Sequence, residues 1–201
     1  MRPSLGSLDR SLLREASSVL GIDEAGRGAL AGPVVVAGAL FERIEDNPLI
    51  QDSKTLARTR REEGAAWVRG HAAAWGVVEV GVEVIHRVNI LQATRLAMTA
   101  LVRSLSRPGT VVVCDAVPPS DPTLAVLAPP GADRSYFCVA AASLLAKVHR
   151  DRVLAELGER WEGWGWERNA GYGTREHRLA LDRRGRSFLH RRGFSWSSVL
   201  P

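Results

Sequence analysis

Asp23 and Glu24 stand side by side at the end of an apolar run, and Gly26-Arg27-Gly28 follows at once. Adjacent carboxylates repel, so burying both at a strand end is costly unless a cation neutralises them. Glycines flanking an arginine let the backbone approach another molecule closely, and a guanidinium suits a phosphate. Metal on one side and a phosphodiester on the other is one reading of this window. A solvated turn after a strand is the other. A third acid, Asp115, ends the β-branched run Thr110-Val111-Val112-Val113-Cys114. If the two strands are neighbours, the three carboxylates meet at one sheet edge. Mg2+ takes such oxygens and keeps several waters, and two-ion phosphodiester hydrolysis needs a few acids converging on one point.

The elements that must position these acids follow from periodicity. Residues 19–23 and 33–40 read as strands joined by the glycine-rich turn, a hairpin. Residues 55–73 read as a charged surface helix, 75–82 as an alternating strand, and 85–105 as one long core helix with apolar residues at helical spacing. A buried central strand over 110–114 and a short strand over 123–127 follow. The alanine-rich stretch 137–157 lacks breakers and suits close helix–sheet packing. Residues 179–182 read as a short helix, and 1–16 as a frayed one. Strands first, then alternating strand and helix, indicate an α/β layer with a mixed sheet. The whole chain, 1–201, reads as one domain, with a core over 17–157 and an extension over 158–201.

Composition narrows the classes. No apolar stretch approaches the length of a membrane span, and the first residues lack a signal-peptide core, so the expectation is a cytoplasmic protein. Cys114 and Cys138 each lie inside an apolar run and read as buried thiols. The net charge is +5, and residues 168–201 hold eight arginines against Glu176 and Asp182. Such a cluster suits a polyanion, or forms a solvated basic face. None of the five histidines has metal-ligand spacing; no phosphate loop and no serine or cysteine nucleophile motif occurs. Nothing demands more than a monomer.

Several blocks, in order, carry a family resemblance. They are Ile22 to Gly28, Asp52-Ser53-Lys54, Asn89 to Thr94, Val112 to Asp115, Ala140 to Val148 with Arg150-Asp151, and Gly171-Tyr172-Gly173-Thr174 with His177. Together they resemble the ribonuclease HII family, the type 2 ribonucleases H. The resemblance implies a ribonuclease H-like mixed sheet flanked by helices, with a helical C-terminal extension. It implies Mg2+- or Mn2+-dependent cleavage of RNA paired to DNA, and of a lone ribonucleotide in duplex DNA on its 5′ side. Water would attack, leaving 3′-hydroxyl and 5′-phosphate ends. The substrate partners would be RNA/DNA hybrid and ribonucleotide-containing duplex DNA. A nuclease restricted to long hybrids, or a non-catalytic hybrid-binding module, are the rival readings.

Residue by residue, the resemblance makes Asp23, Glu24, Asp115 and Asp133 the metal ligands. Asp133 could otherwise be a loop aspartate near a helix start, and Asp151 competes for the fourth place but can simply pair with Lys147 at i+4. Gly26, Arg27 and Gly28 would meet the ribose 2′-hydroxyl through their backbone, since that group distinguishes RNA from DNA. Tyr172, flanked by glycines, would stack on the neighbouring sugar, or else pack its loop on the body. Lys54 is a phosphate contact, with Asp52 more suited to capping a helix. Ser143, Lys147 and Asp151 share one helix face that meets nucleic acid or water. His177 approaches substrate or braces the loop. Trp161, Trp164 and Trp166 fit packing of the extension better than base stacking. Three positions depart from the family pattern: His86 replaces a usual acid, Ala116 a usual glycine and Gly193 a usual serine. Residues 195–201 lack the pattern by which some relatives bind sliding clamps, so no clamp partner is expected.

Overall fold

β1 (Ser18–Ala25) and β2 (Val34–Phe41) pair antiparallel as the expected hairpin. The computed structural model describes residues 4–51, 53, 56–121 and 123–197. β3 (Ala74–Val80) extends the sheet antiparallel beside β2, while β4 (Thr110–Cys114) and β5 (Val126–Leu127) add parallel strands on the other side of β1. The order is β3-β2-β1-β4-β5. β1 and β2 are central and covered on both faces, so they read as continuous apolar runs rather than alternating ones.

Two helices sandwich the sheet. On one face lies α5 (Phe137–Arg160), packed on Val19, Val35, Ala37, Ala39 and Phe41, with α2 (Arg58–His71) beside it. On the other lies α4 (Ile90–Leu105), whose Ala97, Met98, Leu101 and Val102 meet Leu20, Ile22, Val36 and Leu40. Full burial of each such aliphatic contributes roughly 1.5–3 kcal/mol. α5 lies so close to the sheet that a Cβ on Gly21 would sit 2.1 Å from the Cys138 carbonyl carbon. Its alanines and that glycine are one device for close approach.

The structure corrects several element boundaries. The single helix expected over 85–105 is two, α3 (Val82–Val88) and α4, divided at Asn89, which adopts φ 66° and ψ 166°. The Asn89 side chain accepts a hydrogen bond from the Gln92 amide at 3.0 Å, so a capping residue overrides the apolar periodicity. The strand expected over 123–127 shrinks to two residues, and the helix expected over 179–182 grows to α7 (Arg175–Arg184), capped by Thr174. α1 (Ser7–Leu12) is docked rather than frayed. Its buried Asp9 accepts from the Phe137 and Cys138 amides at 2.8 and 3.0 Å, capping α5 from 128 residues away.

The extension adds α6 (Trp166–Asn169) and α7, then returns along the hairpin turn. Gly32 donates to Leu189 and Arg191 to Leu30, at 2.9 and 2.8 Å. Among the described residues, no helix is long and apolar enough to cross a membrane.

Candidate active site

The parallel register sets Ile22 beside Cys114, so Asp23 and Asp115 follow at the same end of adjacent strands. Both line a cleft of about 530 Å³ that also takes in Glu24, Gly26, Arg27, Gly28, Asp133, Ser143, Lys147 and Tyr172. Residues from five separate stretches of sequence, with Ser53 from a sixth, are therefore brought to one place. Lys54 and Asp52 lie outside the described residues, although Ser53 between them lines the cleft and shares a 3.1 Å hydroxyl contact with Ser143.

Each acid has its own setting. Asp23 is 7% exposed, and although the nearby Ser143 hydroxyl favours its charged form, its pKa is pushed up to about 8. Burial is the largest cause, followed by the negative charges of Glu24 and Asp115. Glu24 pairs with Arg27 at 3.1 Å. Asp115 accepts from the Gly131 and Ala132 amides at 2.6 and 3.1 Å. Asp133, on the 3₁₀ turn Ala132–Arg134, is buried with the Arg134 guanidinium 3.8 Å away. Among the described residues, no three acidic, histidine or cysteine side chains converge closely enough to hold a metal as they stand. Beneath them, burial and then the same carboxylates push the Cys114 thiol up to about 12, which makes it inert.

The Gly26–Gly28 turn lines the same cleft and is tied to the acids by the Glu24–Arg27 pair. Gly26 has φ +91°, where an L side chain is strained, and a Cβ there would lie 1.9 Å from Arg150 Nε. Behind the turn sit two buried arginines. Arg191 donates to the carbonyls of Gly26, Arg27 and Gly32 at 2.7, 3.0 and 3.0 Å. Arg150 donates to Pro33, Ala31 and Ala170 at 3.0, 3.1 and 2.7 Å. Neither forms a salt bridge with a carboxylate among the described residues. Burial lowers the pKa of both, and for Arg191 the charge of Arg150 lowers it further.

Tyr172 completes this wall, half-buried, with the Lys147 ammonium and the Arg150 guanidinium 5.4 and 5.1 Å from its ring centroid. Asp151 stays out of the cleft, bonded to Lys147 at 2.6 Å with Arg61 3.6 Å away. Ala116, just after Asp115, has φ 57°, a conformation that glycine would adopt without strain.

The sequence profile described as Ribonuclease HII matches residues 20–196. The chain belongs to the ribonuclease HII family. It is therefore an endoribonuclease of the ribonuclease H type, acting on RNA/DNA hybrids. The ribonuclease HII of Chlorobium luteolum is 45% identical over 187 residues, 88% of each chain. Among solved structures, the Archaeoglobus fulgidus ribonuclease HII in complex with PCNA superposes with a TM-score of 0.70 at 28% identity, over 87% of this chain and 92% of that one. Bst ribonuclease HIII in complex with Mn2+ shares the fold, with a TM-score of 0.60 at 20% identity over 87% of this chain and 65% of that one.

Arg150, Arg191 and His190 of this ribonuclease HII chain were not singled out as functional from sequence. Arg150 falls in a matched block, but nothing distinguishes Arg191 within a tail of eight arginines. His177 braces rather than faces the cleft: it is buried, its Nδ1 donating to the Tyr172 carbonyl at 2.9 Å. Its Nε2 accepts from Trp166 Nε1 at 3.2 Å and lies 3.1 Å from His190 Nε2. His190 Nδ1 accepts from the Ser187 amide at 2.9 Å. Only neutral rings satisfy this chain of donors and acceptors. Trp164 and Trp166 stack within the same cluster and Trp166 is buried, so these two pack the extension, whereas Trp161 is 44% exposed against Phe188.

Proposed function

We propose that this ribonuclease HII cuts the RNA strand of hybrids and also the 5′ side of a single ribonucleotide in duplex DNA, leaving 3′-hydroxyl and 5′-phosphate ends. The observation that carries the reading is one cleft with an acidic wall, Asp23, Glu24, Asp115 and Asp133, opposite the Gly26–Gly28 turn and Tyr172. Such an activity belongs to ribonucleotide removal from DNA and primer removal in the cytoplasm.

The acidic wall is a set of hard oxygen donors in which burial, and then the charges of Glu24 and Asp115, raise the Asp23 pKa, and that chemistry fits Mg2+ or Mn2+. Asp23, Glu24, Asp115 and Asp133 would hold the ions; a relative of the same fold has been solved with Mn2+. When bound in a pair, such ions supply an activated water and offset charge at the departing 3′-oxygen. The Ser143 hydroxyl orients Asp23, and the Gly131 and Ala132 amides orient Asp115.

On the facing wall, the carbonyls of Gly26 and Arg27 point at Arg191. A peptide's N–H points opposite its carbonyl, so this clamp presents the following amides away from Arg191, where a ribose 2′-hydroxyl or a phosphate can accept them. Tyr172 would stack on the sugar beside the ribonucleotide, and Lys147 would contact the backbone together with Lys54.

The test is an end-labelled DNA duplex carrying one ribonucleotide, incubated with Mg2+ or with EDTA. A single metal-dependent cut 5′ of the ribonucleotide supports the proposal. Cleavage of a long hybrid alone would remove the roles given to Tyr172 and the turn.

A further inference from the structure

A second cleft, of about 510 Å³, is lined by Arg191, whose guanidinium also holds the Gly26 and Arg27 carbonyls of the turn that lines the first. It opens between the α3–α4 joint and the segment 191–194. Its lining contains no carboxylate but three arginines, Arg87, Arg191 and Arg192. Arg87 and Arg192 are exposed, and neither side chain is in an ion pair with a described residue. Surface arginines without counter-ions, gathered at a concave site, attract a polyanion.

Two further features mark the site. The first turn of α4 lines it. There Asn89 satisfies the amides of Gln92 and Ala93, at 3.0 Å each, while helix geometry leaves those of Ile90 and Leu91 without an intrahelical acceptor. The 16-residue helix thus directs its positive end at the cleft. Independently, Arg191 is 1% exposed, and its Nη2 is buried without a hydrogen-bond partner, although Nε and Nη1 are filled by three carbonyls. A buried guanidinium with no carboxylate beside it is costly, and an anion in the cleft that Arg191 lines would offset its charge. The His86 imidazole fixes the opposite lip by accepting from the Arg192 amide at 3.0 Å. Phe194, under the Arg191 guanidinium at 5.3 Å, offers a ring face suited to a sugar.

We propose that this cleft seats a second backbone phosphate of the nucleic-acid duplex, away from the bond that is cut. The proposal rests on reading the first cleft as the nuclease site. A nucleic-acid phosphate is favoured over a free anion because Arg191 is shared. The same side chain that lines the second cleft holds the turn that lines the first, so a strand crossing the turn passes beside both. Each phosphate neutralised there releases counter-ions, which gives the site a salt signature.

The test measures the affinity of the full chain for a fluorescent duplex carrying one ribonucleotide, in EDTA, across a range of KCl concentrations. Arg87→Ala combined with Arg192→Ala is expected to weaken binding about tenfold at low salt. It should also flatten the slope of log affinity against log salt by roughly one to two, the loss of one or two phosphate contacts. Arg87→Glu alone, at an exposed position, should weaken it in the same direction. Arg69→Ala, which removes an exposed arginine from α2, serves as the control. An unchanged affinity and slope would overturn the seat while leaving the nuclease reading intact, as would an equal effect of Arg69→Ala. Inorganic phosphate that binds the wild type without competing with the duplex would identify a free-anion site and also overturn it. If the wild type does not bind the duplex at all, the nuclease reading falls first and takes the seat with it.

Discussion

The two walls of the cleft are built on opposite principles. The acidic wall gathers carboxyl groups at the ends of β1 and β4, where burial and then the charges of Glu24 and Asp115 drive Asp23 to a pKa of about 8. The opposite wall hides its charges. Arg150 and Arg191 lie wholly inside and donate to six backbone carbonyls rather than to acids, with Arg191 Nη2 left unfilled. One wall is destabilised locally and ready for a cation. The other is over-determined, so that a short glycine turn keeps one shape. On the proposed function, chemistry and recognition are thereby separated within a cleft of about 530 Å³.

The largest expected effect comes from the acidic wall. Asp115→Asn retains an oxygen for the Gly131 and Ala132 amides, so the fold should stand, yet turnover should fall by roughly a thousandfold or more. Single-turnover cleavage measures this, and a variant within tenfold of wild type would remove Asp115 from the metal set.

Gly26→Ala attacks the other wall. The new Cβ meets Arg150, which three carbonyls hold in place, at a backbone angle unsuited to alanine. A loss of ~3 kcal/mol in urea unfolding is expected, with recognition lost alongside. Stability close to wild type would mean that the turn is softer than the buried arginines imply.

Arg191→Lys sharpens the contrast, because an ammonium cannot reproduce the fork that reaches three carbonyls. A cost of ~2 kcal/mol is expected, with KM for the duplex rising more than kcat falls. Equal stability and KM would show that the charge alone matters.

The smallest effect concerns the brace behind Tyr172. Burial pulls the pKa of His190 down to about 4, helped by His177, and burial lowers that of His177 as well. A histidine whose folded pKa lies below its unfolded value of about 6.5 binds fewer protons in the fold, so stability falls as pH drops through that window. Between pH 7 and pH 4.5, His190 should contribute a loss on the order of 2 kcal/mol, read by urea unfolding. His190→Leu should flatten that limb, and an unaltered limb would place the acid sensitivity elsewhere.

The acidic wall was legible because its residues announce themselves. Paired carboxylates ending an apolar run, and Asp115 ending another, need only neighbouring strands to meet, and the parallel register provides them. Asp133 came through resemblance, Ser143 also through the helix face it shares with Lys147 and Asp151, and Tyr172 also through its flanking glycines; the structure brings all three to the same cleft. The arginine wall was not legible. A buried arginine satisfied by carbonyls has no partner residue in the sequence to betray it, and Arg191 looks like its seven basic neighbours. For the same reason Asp9 was missed: its role as a cap exists only once α1 reaches α5, 128 residues away. The break at Asn89 could have been read, since an asparagine before Ile90 is a plausible cap, but the apolar spacing through residues 85–105 hid it.

The division of labour is tested most directly by Asp23→Asn, with cleavage of a ribonucleotide-containing duplex in Mg2+ and affinity for the same duplex in EDTA measured side by side. Cleavage should vanish while affinity is retained, because the amide matches the shape of the largely neutral Asp23 carboxyl and the turn, the buried arginines and Tyr172 are untouched. Retained cleavage, or affinity lost together with cleavage, would contradict the assignment of chemistry to one wall and recognition to the other.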